Sequence, residues 1–170
     1  MAGIPRQIDT NDSGAGTDGT IRNAAWLATI YDSIETGWTL TTYVPVWSST
    51  GAGEALGNGT IAGYYFRIGQ LTFFSVFLVF GSTTNFGSAG NYSVTLPLNA
   101  ASADLFHIGV SSSDASAGGA RYGGGGILES VTSCLLVTLD TSAVGVYGPT
   151  TPFTFAQSDA IRVAGLYLGN

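Results

Sequence analysis

At 170 residues the chain suits one domain with an appendage: long enough to bury a core, too short for a second enzyme-sized domain. Charged residues make up only 9% of it, none of them lysine, and 25 glycines sit among abundant Ser, Thr and Asn, so the surface must be neutral and hydroxyl-rich. Eleven acidic residues against five scattered arginines (Arg6, Arg22, Arg67, Arg121 and Arg162) give a net charge of −6 and no basic stripe along which a phosphate backbone could run, which argues against nucleic acid as a partner.

Residues 1–20, "MAGIPRQIDTNDSGAGTDGT", carry too few large apolar groups to order themselves, and are expected to form a flexible attachment arm. The arm lacks the basic start and apolar stretch of a secretory signal. Asp9, Asn11, Ser13 and Gly14 match the first half of a calcium loop, but Thr20 stands where a bidentate Glu belongs, so no metal is expected there. Over residues 21–37 the period changes: Trp26, Leu27, Ile30, Tyr31 and Ile34 recur at three and four residues, with Thr20 as N-cap and Gly37 as stop. This predicts a short amphipathic helix, whose stripe must pack on the following domain or on copies of itself.

Residues 38–170 read as all β. Roughly eight windows rich in Val, Ile, Thr, Phe and Tyr, from "GWTLTTYVPVWSS" to "AIRVAGLYLG", are separated by Gly, Asn, Ser or Pro clusters. The expected architecture is an antiparallel β-sandwich, jelly-roll-like. Asn58-Gly59 reads as a tight hairpin turn. The run Leu71 to Phe80, "LTFFSVFLVF", breaks the alternation of a half-buried strand. Leu71, Phe73, Phe77 on one side and Phe74, Phe80 on the other are all apolar, so both faces need cover, one from the core and one from a trimer interface. Arg67 and Gln70 interrupt the longer apolar stretch around it, and no membrane insertion is expected.

Signals for chemistry are weak. The lone Cys134 in "VTSCLLVTL" rules out an intrachain disulfide and reads as a core residue. His107 in "DLFHIGV" reads as a strand residue; a triad with Asp104 and a serine lacks any positional signature. No pair among Glu54, Asp104, Asp114, Glu129, Asp140 and Asp159 stands out for glycosidase work. The glycine-rich stretches 51–59 and 118–126 lack the Lys-Ser/Thr ending of a phosphate loop. No cofactor, metal site or catalytic residue is expected. The stretch "SSSDASAGGARYGGGG" reads as a loop in which Asp114, Arg121 and Tyr122 offer an acceptor, a donor and a stacking ring to a glycan.

One resemblance rests on Pro45 to Trp47 (Pro-x-Trp), Leu56 to Thr60 (Leu-Gly-Asn-Gly-Thr), Gly63 to Tyr65 (Gly-x-Tyr), Gly69 before a strand, and Ser93 to Pro97 at a strand end. In these, and in the closing "TPFTFAQSDAIRVAGLYLG", residues 38–170 resemble the C-terminal β head domains of small tail-fibre and minor tail proteins of tailed bacteriophages. Phe155 and Ser158 depart from the pattern, standing where such proteins often have Trp and Gly. The resemblance implies a non-enzymatic homotrimeric virion protein, made in the host cytoplasm and displayed on the tail or capsid exterior. Residues 1–20 would join another virion protein, and the head would meet a host surface glycan. Two alternatives stand beside it: a capsid decoration protein anchored by its arm, and a small polysaccharide depolymerase.

Overall fold

The computed structural model describes residues 31–32, 39–102, 106–139 and 145–170. The chain divides into two compact units, Met1–Thr39 and Leu40–Asn170. In the first, Tyr31 and Asp32 are helical. The arm, the half calcium loop and the rest of the expected helix lie outside the described residues.

The second unit is all-β and antiparallel. Its described strands are β1 (Thr41–Tyr43), β2 (Trp47–Ser49), β3 (Thr60–Ile68), β4 (Leu71–Val79), β5 (Tyr92–Thr95), β6 (Phe106–Asp114), β7 (Ala120–Leu128), β8 (Ser133–Thr138), β9 (Gly145–Val146) and β10 (Ala160–Leu168). They form one sheet in the order β1-β3-β4-β10-β6-β7-β8-β5-β2, with β9 paired to β8. The first window holds two strands because Pro45, which lacks a ladder donor, separates β1 from β2.

That order forces the sheet to curl. β1 and β2 are its opposite ends, yet only residues 44–46 separate them. The Cα atoms of Tyr43 and Trp47 are therefore no more than about 14 Å apart, the reach of four extended residues. A flat sheet of nine strands side by side would hold its ends about 38 Å apart at the usual 4.8 Å spacing. The sheet folds over into a two-layered, sandwich-like body, and the Tyr43 hydroxyl reaches the Thr95 carbonyl of β5 at 3.4 Å.

Glycines in β7 relieve the bend. A Cβ on Gly124 would lie 2.0 Å from the Val137 carbonyl oxygen, and one on Gly126 would lie 2.5 Å from both Cys134 Sγ and Ile108 Cγ2. Between the layers sits a core of Val76, Leu78, Val94, Leu136, Ile161 and Val163, closed at one end by aromatic rings. Trp47 meets Phe80 at 5.3 Å and Tyr92 at 5.0 Å, and Phe80 meets Phe155 at 5.2 Å, all in edge or tilted geometry. Phe155 is therefore one ring of this aromatic core.

Two local expectations need correction. The tight turn lies at Gly57-Asn58 rather than at Asn58-Gly59: Gly57 carries the positive φ of 62°. Asn58 instead spends its amide on a neighbouring loop, its Oδ1 accepting from the Thr83 backbone N–H at 2.9 Å. The stretch read as a glycine loop is a β-hairpin: β6 ends at Asp114, residues 115–119 turn, and β7 begins at Ala120. Gly118 and Gly119, at φ 69° and 80°, make that turn possible. Ser158 has a φ of 71°, the left-handed region, so its place is one where glycine would sit without strain.

Candidate functional site

The hairpin does not bring Asp114, Arg121 and Tyr122 together as a site. Asp114 is buried at the strand end, and its carboxylate accepts from the Ser116 hydroxyl at 2.7 Å and the Ala117 N–H at 3.0 Å. It is the capping group of the turn. Arg121 and Tyr122 are successive strand residues and so point to opposite faces. Arg121 is exposed opposite Ser113, whereas Tyr122 turns inward and packs on Phe153 at 4.8 Å. Only Arg121 remains available to a ligand from outside.

The hydrogen bond from Ser116, helped by those from the Ala117 and Ser116 backbone, holds the Asp114 carboxyl below the usual carboxylate range. A lowered folded pKa means that Asp114 stabilises the fold above its unfolded value, about 3.9, and that this contribution is lost as pH falls through the lowered one. The melting temperature is expected to fall on acidification below about pH 4. It should fall less steeply in Asp114→Asn, which has no carboxylate to protonate; identical acid profiles would contradict the assignment.

The two-faced strand resolves cleanly. In β4, Thr72, Phe74, Val76 and Leu78 are buried and Phe80 follows them into the core. Leu71, Phe73, Ser75, Phe77 and Val79 face outward, with Phe77 40% exposed. The pairing register extends that outer face across neighbouring strands. Phe66, Phe73 and Leu166 form one row, and Ile68, Leu71 and Leu168 the next. Phe66 and Phe73 stack with ring centroids 4.7 Å apart and planes 5° from parallel, and Ile68 is 43% exposed. The result is a neutral apolar patch on the outside of β3, β4 and β10.

Above the patch the surface changes character. An open groove of about 530 Å³ is lined on its outer side by Ser75, Phe77, Gly109, Ser111, Arg162 and Ala164. The Arg162 guanidinium carbon lies 4.3 Å from the centroid of the Phe77 ring, so the cation is held against an aromatic face. His107, opposite Leu166, is exposed beside this region. Asp104, the other paper member of a triad, lies outside the described residues.

Elsewhere, burial pushes the Cys134 thiol up to about 12, so it remains protonated and unreactive at neutral pH. Burial likewise raises the Tyr43 and Tyr92 hydroxyls well above their ordinary value. Among the described residues no three His, Cys, Asp or Glu side chains gather to hold a metal ion, and no helix is long and apolar enough to cross a membrane. No protein-family profile matches the chain, and no curated protein matches it either.

Sequence reasoning missed Arg162, Ser111 and Gly109. A signal was available: β4 and β10 alternate in step, so pairing their outward registers sets Arg162 and Ala164 beside Phe77 and Ser75. That pairing depends on β10 lying between β4 and β6, which the order of the windows does not reveal.

Proposed function

We propose that the protein is a non-enzymatic structural and attachment component of a virus particle, a homotrimer whose β head projects from the surface and meets the host. The observation that carries this reading is the outward face of β4 with its neighbours in β3 and β10. Phe66, Ile68, Leu71, Phe73, Leu166 and Leu168 form a contiguous apolar patch on a chain that is only 9% charged. A patch of that kind on an isolated chain marks a surface that another surface covers. A second copy of the chain, arranged around a closed symmetry axis, is the simplest partner. The likeness of residues 38–170 to phage tail-fibre heads supports three copies and a virion setting. Composition supports it too, since a neutral hydroxyl-rich surface suits a protein that meets glycans rather than nucleic acid.

Residues 1–20 then join the head to another virion protein. Docking of the chain directly on a capsid shell is the decoration reading, a variant of the same role. The test is incorporation. Chains lacking residues 1–20 are expected to assemble normally yet to be missing from purified particles, as read by mass spectrometry of the particles. Wild-type occupancy by the truncated chain would overturn the attachment reading.

A further inference from the structure

We propose that the groove running across the outer face of β4, β10 and β6 binds an acidic oligosaccharide, with Arg162 receiving a sugar carboxylate. This deepens the host-attachment reading and rests on it, while giving the ligand a different place from the hairpin tip.

The groove follows from the register. Ser75 pairs with Ala164, Ala164 with Gly109, and Gly109 with Gly125, so one line across four strands carries no side chain larger than a hydroxymethyl. At strand spacing this bare floor is about 14 Å long, enough for several linked sugar rings. Two residues away on one side stand Phe77, Arg162 and Ser111, and on the other the apolar patch begins at Phe73 and Leu166. The floor and the Phe77 wall thus offer an aromatic ring, hydroxyls and a fixed cation, the combination that a ring with one apolar face and many hydroxyls requires.

The floor is bare without packing demanding it. A Cβ on Gly109 would meet nothing closer than the Ala164 carbonyl oxygen at 3.8 Å, and one on Gly125 nothing closer than the Ile108 carbonyl oxygen at 3.6 Å. Neither glycine has a positive φ. They contrast with the inward Gly124 and Gly126, which the bend requires. A glycine inside a strand weakens it, and close approach of another molecule is one of the few reasons for tolerating that.

Arg162 selects the ligand's charge. Its cross-strand and diagonal neighbours on this face, Phe77, Ser111, Ser75, Val79, Gly109 and Ser113, are all uncharged. Phe77 holds the guanidinium in place, which leaves its planar fork ordered to take a carboxylate through two hydrogen bonds. A symmetric contact with the same face of a second copy would instead bury this charge beside its own kind. A peptide is a poorer occupant for another reason. β4, β10 and β6 are each paired on both sides, so a chain lying across them finds no strand edge and leaves its backbone groups unsatisfied. A saccharide presents hydroxyls that side chains on this face, Ser75, Ser111 and Arg162, can pair without a strand edge.

The experiment is isothermal titration of the full chain with three acidic probes, hexagalacturonate, a hyaluronan hexasaccharide and an oligosialic acid, beside uncharged maltohexaose and a hexaglutamate peptide. At least one acidic saccharide should bind at least tenfold more tightly than maltohexaose or hexaglutamate. Arg162→Gln should weaken that binding at least tenfold, and Gly109→Gln, which fills the floor, should abolish it, both with unchanged melting temperature. No binding by any acidic saccharide, equal binding by either variant, or equal binding of hexaglutamate would overturn the proposal. Light scattering on the same samples separates it from the trimer reading: a monomer that binds upholds the groove and sinks the trimer, and a trimer that does not bind does the reverse.

Discussion

Ile68→Asp is expected to leave the β domain folded and to dissociate the assembly, whereas Phe74→Asp, six positions later in the same hairpin, is expected to prevent folding. The difference lies in which way each side chain points. Ile68 ends β3 on the outer face and is 43% exposed, so a carboxylate there remains hydrated in the free chain. Covering an Ile side chain contributes about 1.5–3 kcal/mol at each contact. Replacing that contribution with a buried charge should weaken association at least about a hundredfold, the equivalent of some 2.7 kcal/mol. Phe74 is 4% exposed and meets Tyr167 at 5.8 Å in the core. Losing a buried Phe costs about 3–5 kcal/mol before any carboxylate is desolvated, against a total stability of about 5–15 kcal/mol. Circular dichroism with light scattering separates the two outcomes. A folded, fully associated Ile68→Asp protein would remove this patch from the interface.

The second large effect concerns neighbouring glycines. Gly124→Ala should destabilise strongly and Gly123→Ala should not, although both lie in the run 123–126. A methyl on Gly124 would enter the Val137 carbonyl oxygen at 2.0 Å and approach Thr138 Cα at 3.0 Å. Those are backbone atoms of the paired strand β8, which cannot swing aside as a side chain would. Overpacking of this kind costs about 1–3 kcal/mol and sometimes more, or roughly 3–10 °C in melting temperature. A methyl on Gly123 meets nothing within 4 Å. It should be neutral or stabilise by up to about 1 kcal/mol, because alanine restricts the unfolded chain. Equal melting temperatures for the two variants would contradict the account of the bend.

These glycines also mark where the sequence stopped being legible. The strands around "LTFFSVFLVF" and "AIRVAGLYLG" announce themselves through β-branched and aromatic residues, and the all-β antiparallel class follows from them. The middle of β7 has no such residues: Gly123 to Gly126 read as a loop because glycine has low strand propensity. Its strand state comes from tertiary pairing with Val110 and Thr138, which a linear reading cannot supply. The three residues of the expected ligand site part for the same cause. Once residues 120–122 are a strand, Arg121 and Tyr122 must face opposite ways. Asp114 looked like a free surface acid, but the Ser116 hydroxyl two residues on already engages it. The outer groove was hidden because it joins β4, β10 and β6, parts of the chain separated by up to about 90 residues and gathered only by the strand order.

Above all, the account requires the outer apolar patch around Ile68, Leu71 and Leu168 to be covered by copies of the same chain. Multi-angle light scattering of the purified 170-residue chain at micromolar concentration tests this most directly. Three chains of 17.4 kDa each should give a particle of about 52 kDa that stays trimeric on dilution. A folded particle of 17.4 kDa would contradict it.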